Sequence, residues 1–436
     1  MNSDAPSPSA RTELVSWLVV LFIVAELCRV SAALWLEDRN RRVGVEHDFP
    51  DSELYWKLAL RVAAGEPFDD GKRQVLRTPG YPVFLAGAIR LFGPSITGAR
   101  HAQAAVGSLS CVLLYFLVRK LVSTRVGAMA AGVAAVFPFA VFLSATLLSE
   151  ALFTFALLVQ LLALARVLGD LDRSDIEARP TWWAVAVGLS GAAATLVRPS
   201  WILATPLVAV YLVIRWWIRA ERRFDRFRAA CAMLLMFSLG MSPWWLRNWH
   251  VTGHFVSTTL WVGASLYDGL NEHATGASNM EFMDQPERFG LQPDLKMLTE
   301  WDQDQMLRRA ARRFAGEHPW RVIELAGIKF VRFWNPLPNA AEFRSLPLRL
   351  VSFATCAPVL LLALLGAWRL RRRWEVIALL AGPVLYFCAI HLVFVSSIRY
   401  REAAMLPVLG LVAASLVPIT NSPTVARRAS EEQKPA

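Results

Sequence analysis

The sequence predicts an all-α, polytopic membrane protein: a bundle of about ten transmembrane helices, with interfacial helices in its first outer loop. Three observations predict it. Of the 436 residues, 55% are hydrophobic and 19% charged. The apolar residues gather into continuous runs near the ~20 residues that a helix needs to cross ~30 Å of hydrocarbon, and these runs lack the apolar/polar alternation of a membrane β-strand. Lys and Arg, which give the chain a net charge of +11, cluster between the runs and form no single stripe of the kind that binds nucleic acid.

The runs place candidate spans at 15–36, 102–119, 126–146, 150–168, 182–197, 200–218, 229–246, 347–368, 375–396 and 402–419. The first has the core length of a signal peptide from Val15 to Ala25. Glu26 and Arg29 interrupt it and apolar residues resume to Leu36, which fits an uncleaved anchor better. The basic stretches 119–125, 215–228 and 368–374, together with Arg427 and Arg428, fall on one side when the spans alternate. The excess of positive charge makes that side cytoplasmic, with both termini on it. The chain then divides into a cytoplasmic tail (1–14), an amino-terminal transmembrane module (15–246) with its first outer loop at 37–101, an outer region (247–346), carboxy-terminal spans (347–419) and a polar tail (420–436).

The outer segments carry their own helical patterns. LYWKLALRVAA (54–64) and YPVFLAGAIRLF (81–92) are too short to span and suit helices lying at the interface. Residues 301–320 read as an exposed helix ending near Gly316, and 318–334 as an amphipathic helix with aromatic anchors. Cys28, Cys111, Cys231, Cys356 and Cys388 lie in or beside apolar segments without a CxxC pair, so they read as packing residues.

The polar residues that need explanation sit at the outer ends of the spans. Arg77, Arg198, Arg247, Arg399 and Arg401 all fall on the face where short loops are normally poor in arginine. Each alone could snorkel or pair structurally. Together, drawn from distant parts of the chain, they describe a basic pocket for an anionic head group, because guanidinium forks match phosphate oxygens. At a membrane surface the phosphate expected is a lipid phosphate.

Carboxylates lie on the same face. EHDFPDSELYW (46–56) holds Asp48 and Asp51, and Glu150 stands between two apolar runs joined by almost no loop. Asp51 has two readings, as the N-cap of the following helix or as a general base that takes a proton from an acceptor hydroxyl beside an arginine-bound phosphate. Glu150 has two readings as well, as a cap or partner of an arginine, or as a catalytic group that orients the acceptor or helps the base. No compact ligand cluster calls for a metal or other cofactor, and His250, His254 and Glu150 could meet only through the fold.

The order of DSELYWKLALRVAAGEPF (51–68), LRTPGYPVFLAGAIRLFG (76–93), LSEALFTFALLVQLLAL (148–164), TLVRPSWILATPL (195–207), PWWLRNWHVTGHF (243–255) and IRYREAAMLPVLGL (398–411) resembles the GT-C superfamily of integral-membrane glycosyltransferases. The branch it is most similar to comprises bacterial relatives of dolichyl-phosphate-mannose–protein mannosyltransferases and of 4-amino-4-deoxy-L-arabinose lipid A transferases. The resemblance runs from about residue 15 to 420. It implies a GT-C-like bundle, a polyprenyl-phosphate-linked sugar as donor and chemistry at the outer face; the hypothesis built on it is inverting transfer to a lipid, glycan or protein acceptor at the outer face of a bacterial inner membrane.

The resemblance also implies a catalytic acid in the first outer loop, which maps onto Asp51 in a DxxxY pattern with Tyr55, with Asp48 as the second candidate. Glu150 resembles a second acidic position of the family, and Arg247 and Arg399 match basic ones. Tyr55 and Tyr81 are the candidates for orienting donor or acceptor. The chain departs from the arabinose-transferase branch at Arg77-Thr78-Pro79, where that branch tends to have a KPP-like string, and 247–346 is too short for the extra domain of the mannosyltransferases proper. A transporter or flippase of lipid-linked sugars is the rival class. It predicts paired half-repeats and midplane charges, and apart from Glu26 and Arg29 the charges sit at span ends.

Overall fold

A computed structural model describes residues 8–171, 180–218, 223–291, 295–338 and 345–418. Residues 219–222 of the basic stretch 215–228 and the tail with Arg427 and Arg428 lie outside the described residues. Every regular element described is helical. Among the described residues, eight helices are long and apolar enough to cross a membrane: α1 (Pro8–Val43, apolar from Arg11), α4 (Ile96–Leu121), α7 (Glu150–Leu171), α8 (Pro180–Val197), α9 (Ala204–Ile218, extended at its start by a 3₁₀ turn at Pro199–Trp201), α10 (Arg223–Thr252), α14 (Leu346–Arg369) and α15 (Trp374–Val393). A bent pair, α5 (Thr124–Val136) and α6 (Pro138–Ala145), brings the number to nine.

The bend in that pair has a local cause. The pattern predicts one span over 126–146, yet α5 and α6 meet at 52°. Phe137 is extended and Pro138 has no N–H to return to the carbonyl of Ala134. The freed carbonyls are taken by a side chain from α1. Arg29 donates from Nη2 to the oxygen of Ala134 at 3.3 Å and from Nη1 to that of Ala135 at 3.1 Å. Glu26 accepts from the Ser108 hydroxyl at 2.8 Å. The two charges that interrupt the first apolar run are therefore held inside the bundle by α4 and α5.

The last expected span, 402–419, has another form. Pro407 stops a regular helix, and the chain runs through α16 (Ile398–Glu402), a 3₁₀ turn at Leu406–Val408 and α17 (Leu409–Leu416). Its apolar helical stretch, Leu406–Leu416, is too short to count as a span. All residues from 401 to 415 are buried, and irregular backbone is tolerated in a membrane bundle where protein wraps it.

At one end of the bundle lie the shorter helices. α2 (Pro50–Ala64) ends on Gly65, whose φ of 77° closes the helix in a left-handed cap. α3 (Gly80–Phe92) packs on α2, α4 and α8. Beyond α10 come α11 (Val262–Gly269), α12 (Glu300–Glu317) and α13 (Pro319–Trp334). Leu325, Lys329 and Phe333 recur at four-residue spacing and form the buried face of α13. Lys329 donates from Nζ to the carbonyls of Gly269 (2.9 Å) and Val393 (2.7 Å), tying α13 to α11 and to the end of α15.

Candidate active site

α2 begins at Pro50, with Phe49 as its N-cap and no side-chain cap. Asp51 is therefore not the N-cap. It lies in the first turn, where the helix dipole favours a negative charge, and its carboxylate is turned to two arginines from elsewhere. Arg77 donates from Nη2 to Oδ1 at 2.9 Å, and Arg399 from Nη2 to Oδ2 at 2.8 Å. Arg77 stands in the loop before α3. That loop is fixed by Glu300 at the start of α12, which accepts from the amides of Gln74 (2.9 Å) and Val75 (3.1 Å), and by the amide of Leu260 on the Val75 carbonyl. The Arg77 guanidinium also lies over the Trp261 ring at 5.6 Å.

Arg399 has a second carboxylate. Its Nε lies 2.8 Å from Oε1 of Glu150, the first residue of α7, and Nη1 of Arg198 lies 3.0 Å from the same oxygen. The result is a continuous chain, Arg77–Asp51–Arg399–Glu150–Arg198, with one positive charge in excess. It has two layers. Asp51, Arg77 and Arg399 keep 30%, 20% and 26% of their side-chain surface open to solvent. Glu150 at 1% and Arg198 at 8% lie beneath them. Arg198 is further held among the rings of Phe153, Phe387 and Tyr400, at 5.7–5.9 Å.

The charge states follow from these contacts. Burial works to raise the Asp51 carboxyl, but Arg399 and then Arg77 outweigh it and hold the group well below the usual carboxylate range. Burial pushes the phenols of Tyr55, Tyr81 and Tyr400 up, so all three stay protonated. Tyr55 meets Tyr81 edge-on at 4.9 Å, beside Arg77, Asp51 and Glu150. Tyr81 donates to Gln103 Oε1 at 2.6 Å, and the Gln103 amide holds the carbonyls of Leu143, Ser144 and Thr146, just before α7. This links the start of α3 to the start of α7, and so the Tyr55–Tyr81 pair to Glu150.

Asp48 lies apart from the chain. Arg100 bonds both its oxygens (3.0 and 3.2 Å) and Asn40 donates at 2.5 Å, with Asp48 and Arg100 both buried. Arg247 donates to the Phe68 carbonyl at 2.6 Å and lies over Trp244 at 4.9 Å, next to Glu300 and Asp69 rather than Asp51. Arg401 is fully buried, spending its donors on the carbonyls of Phe333 (3.0 Å) and Asn335 (3.1 Å), on Glu402 (2.7 Å) and on the Cys356 sulfur. Of the five arginines expected on the outer face, the structure thus brings three to one carboxylate pair.

Sequence reading missed Tyr400, whose ring stacks on His391 at 4.2 Å and lies against both Arg198 and Arg399. Its place between Arg399 and Arg401 was the available signal. Among the described residues, no three His, Cys, Asp or Glu side chains gather as a metal site requires. His254 stacks on Trp301 at 4.1 Å and does not join Glu150.

The fold of this helical bundle is shared with a solved oligosaccharyltransferase. Residues 76–246 match the family described as dolichyl-phosphate-mannose-protein mannosyltransferase. The oligosaccharyltransferase AglB of Archaeoglobus fulgidus, solved with an inhibitory peptide and a dolichol-phosphate, is 14% identical over 96% of this chain and 52% of its own, with a TM-score of 0.55. Its apo form gives 14%, 95%, 52% and 0.54. This chain thus spans about half the length of that enzyme. ArnT of Cupriavidus metallidurans bound to undecaprenyl phosphate is 16% identical over 97% of this chain and 79% of its own, with a TM-score of 0.46. A search of the curated proteins finds no match.

Proposed function

We propose that the protein is a membrane glycosyltransferase. It moves a sugar from a polyprenyl-phosphate donor to an acceptor hydroxyl, with inversion, at the periplasmic face of a bacterial inner membrane. The observation that carries this reading is the meeting of Asp51 and Glu150 with Arg77, Arg198 and Arg399, drawn from five separate parts of the chain, at one end of the bundle. The family match over 76–246 spans Arg77, Glu150 and Arg198 and supports the same class. The acceptor is a lipid, glycan or protein hydroxyl.

In the proposed step, Asp51 takes the proton of the acceptor hydroxyl as its oxygen attacks the anomeric carbon. The bond from that carbon to the phosphate oxygen breaks, and polyprenyl phosphate leaves with one further negative charge. Arg77 and Arg399 stabilise that charge as it develops. A phosphate leaves without protonation, so one base suffices. Glu150 holds Arg399 and Arg198 at the spacing the phosphate meets, and the protonated Tyr55 orients the donor or acceptor. The test is to incubate the purified protein with a panel of polyprenyl-phosphate sugars and follow donor consumption. Turnover is expected with at least one sugar and should vanish in Asp51→Asn. Normal turnover by Asp51→Asn, with loss in Asp48→Asn, would move the role of base to Asp48.

A further inference from the structure

The base proposed above is held in a state in which it is a poor base. Both carboxylate oxygens of Asp51 are engaged by arginine, at 2.9 and 2.8 Å. Those are the same two guanidinium groups that face the solvent-reached side of the site, whereas Arg198 lies beneath, held by Glu150 and three aromatic rings. A phosphate arriving from the open side therefore meets cations that already have an anion, and that anion is Asp51.

We infer that Asp51 occupies the place of the donor phosphate at Arg77 and Arg399, and that the phosphate displaces it, so that the donor itself releases the base. The inference rests on the glycosyltransferase reading and adds an order to it. Without donor, the carboxylate is neutralised and an acceptor hydroxyl finds no base. With donor, the phosphate takes the guanidinium forks, which fit its oxygens, and Asp51 is left free beside the acceptor site. Glu150 keeps a hold on Arg399 through Nε, so Arg399 can exchange its Nη2 partner without leaving the site. The charge excess of one matches the single charge of a phosphodiester donor. The depressed carboxyl of Asp51 agrees with this arrangement, because the cations that depress it are the ones the phosphate would draw away.

Displacement has a consequence that neither a structural nor a purely catalytic Asp51 shares. Removing its charge should tighten lipid-phosphate binding, because the phosphate no longer competes for its cations. The test uses the full chain in lipid nanodiscs, with undecaprenyl phosphate as the probe and undecaprenol, which lacks the phosphate, as the control. Asp51→Asn is expected to bind undecaprenyl phosphate roughly tenfold more tightly than wild type, the scale for two part-exposed ion pairs. Undecaprenol binding should not change.

Glu53→Gln removes the same charge two residues away, from an exposed pair with Lys57, and is expected to leave affinity unchanged. Equal or weaker binding by Asp51→Asn, when wild type binds, overturns the displacement and leaves the glycosyltransferase reading standing. Equal tightening by Glu53→Gln also overturns it, because the effect would then be one of net charge. If wild type does not distinguish undecaprenyl phosphate from undecaprenol, both fall.

Discussion

Arg399 donates from Nη2 to Asp51 at 2.8 Å and sets its Nε 2.8 Å from Oε1 of Glu150 as an ion pair, so a single guanidinium joins the start of α2 to the start of α7. An ammonium cannot reproduce this, because it is a point charge on a flexible stem and not a planar fork. Arg399→Lys is therefore expected to lower turnover by about 10²–10³-fold, the usual effect of removing one stabilising donor from a transition state. The initial rate at saturating donor measures the loss. Thermal melting should change little, because Arg399 is part-exposed. A near-wild-type rate would show that the bridge plays no part in the chemistry.

The pH dependence separates the donor-free and donor-bound states. A depressed carboxyl stays ionised as pH falls, and is lost only when pH passes its shifted value. In the free protein, Arg399 and Arg77 outweigh burial and hold Asp51 below the usual range, so donor kcat/KM should stay flat from about pH 8 down to about pH 4. With donor bound, the cations are drawn away and Asp51 titrates at or above the ordinary carboxylate value of ~4. The expected profile is a kcat that falls on the acid side, with KM falling in parallel. Both parameters measured over this range check it, and an acid limb shared by kcat and kcat/KM would contradict it.

Two buried ion pairs should behave as structure. Asp48–Arg100 and Arg401–Glu402 are both closed to solvent, and each arginine is also bonded or packed internally. Removing one partner leaves a buried charge without its counterion, which typically costs about 3–5 kcal/mol. Arg401→Ala and Asp48→Asn are thus expected to lower the melting temperature clearly. Undecaprenyl phosphate affinity per folded molecule should be unchanged. Lost affinity in an Arg401→Ala protein that melts normally would return Arg401 to the phosphate site.

How much of this was legible depends on the kind of signal. The apolar runs were, because hydropathy marks them, although α1 and α10 continue past the expected ends to Val43 and Thr252. The direction each side chain takes was less so. Arg399 and Arg401 lie two residues apart on one short helix, and residues at that spacing do not share a face. One therefore meets Asp51 and the other turns to Phe333 and Asn335. That much could have been read from spacing. The fate of Arg247 could be read only in part: Trp244 lies three residues earlier on α10, but Phe68 reaches it only through the path of the loop after α2. The break of 402–419 was marked by Pro407. The partner that settles the Pro138 bend, Arg29, lies more than a hundred residues earlier in the chain.

Gly80 explains the string RTPGYP and carries the last prediction. A Cβ at Gly80 would lie 2.7 Å from the carbonyl carbon and oxygen of Leu196 and 2.8 Å from the amide of Val197. These are backbone atoms at the end of α8 and cannot rotate away. The contact therefore sets how closely α3 approaches α8. Arg77 stands three residues before Gly80, and Arg198 directly follows Val197, so the same contact sets the spacing of two arginines of the site. Tyr81, the next residue, holds Gln103 and through it the joint before Glu150. Gly80→Ala is expected to cost about 1–3 kcal/mol of stability as an overpacked contact. Its effect on turnover should be larger than this cost suggests, because Arg77 is carried away from Asp51 and Arg198 while each helix remains formed. Melting temperature and initial rate, measured on the same preparation, distinguish the two effects. A Gly80→Ala protein that is destabilised yet turns over normally while folded would show that the α3–α8 contact is not what positions Arg77.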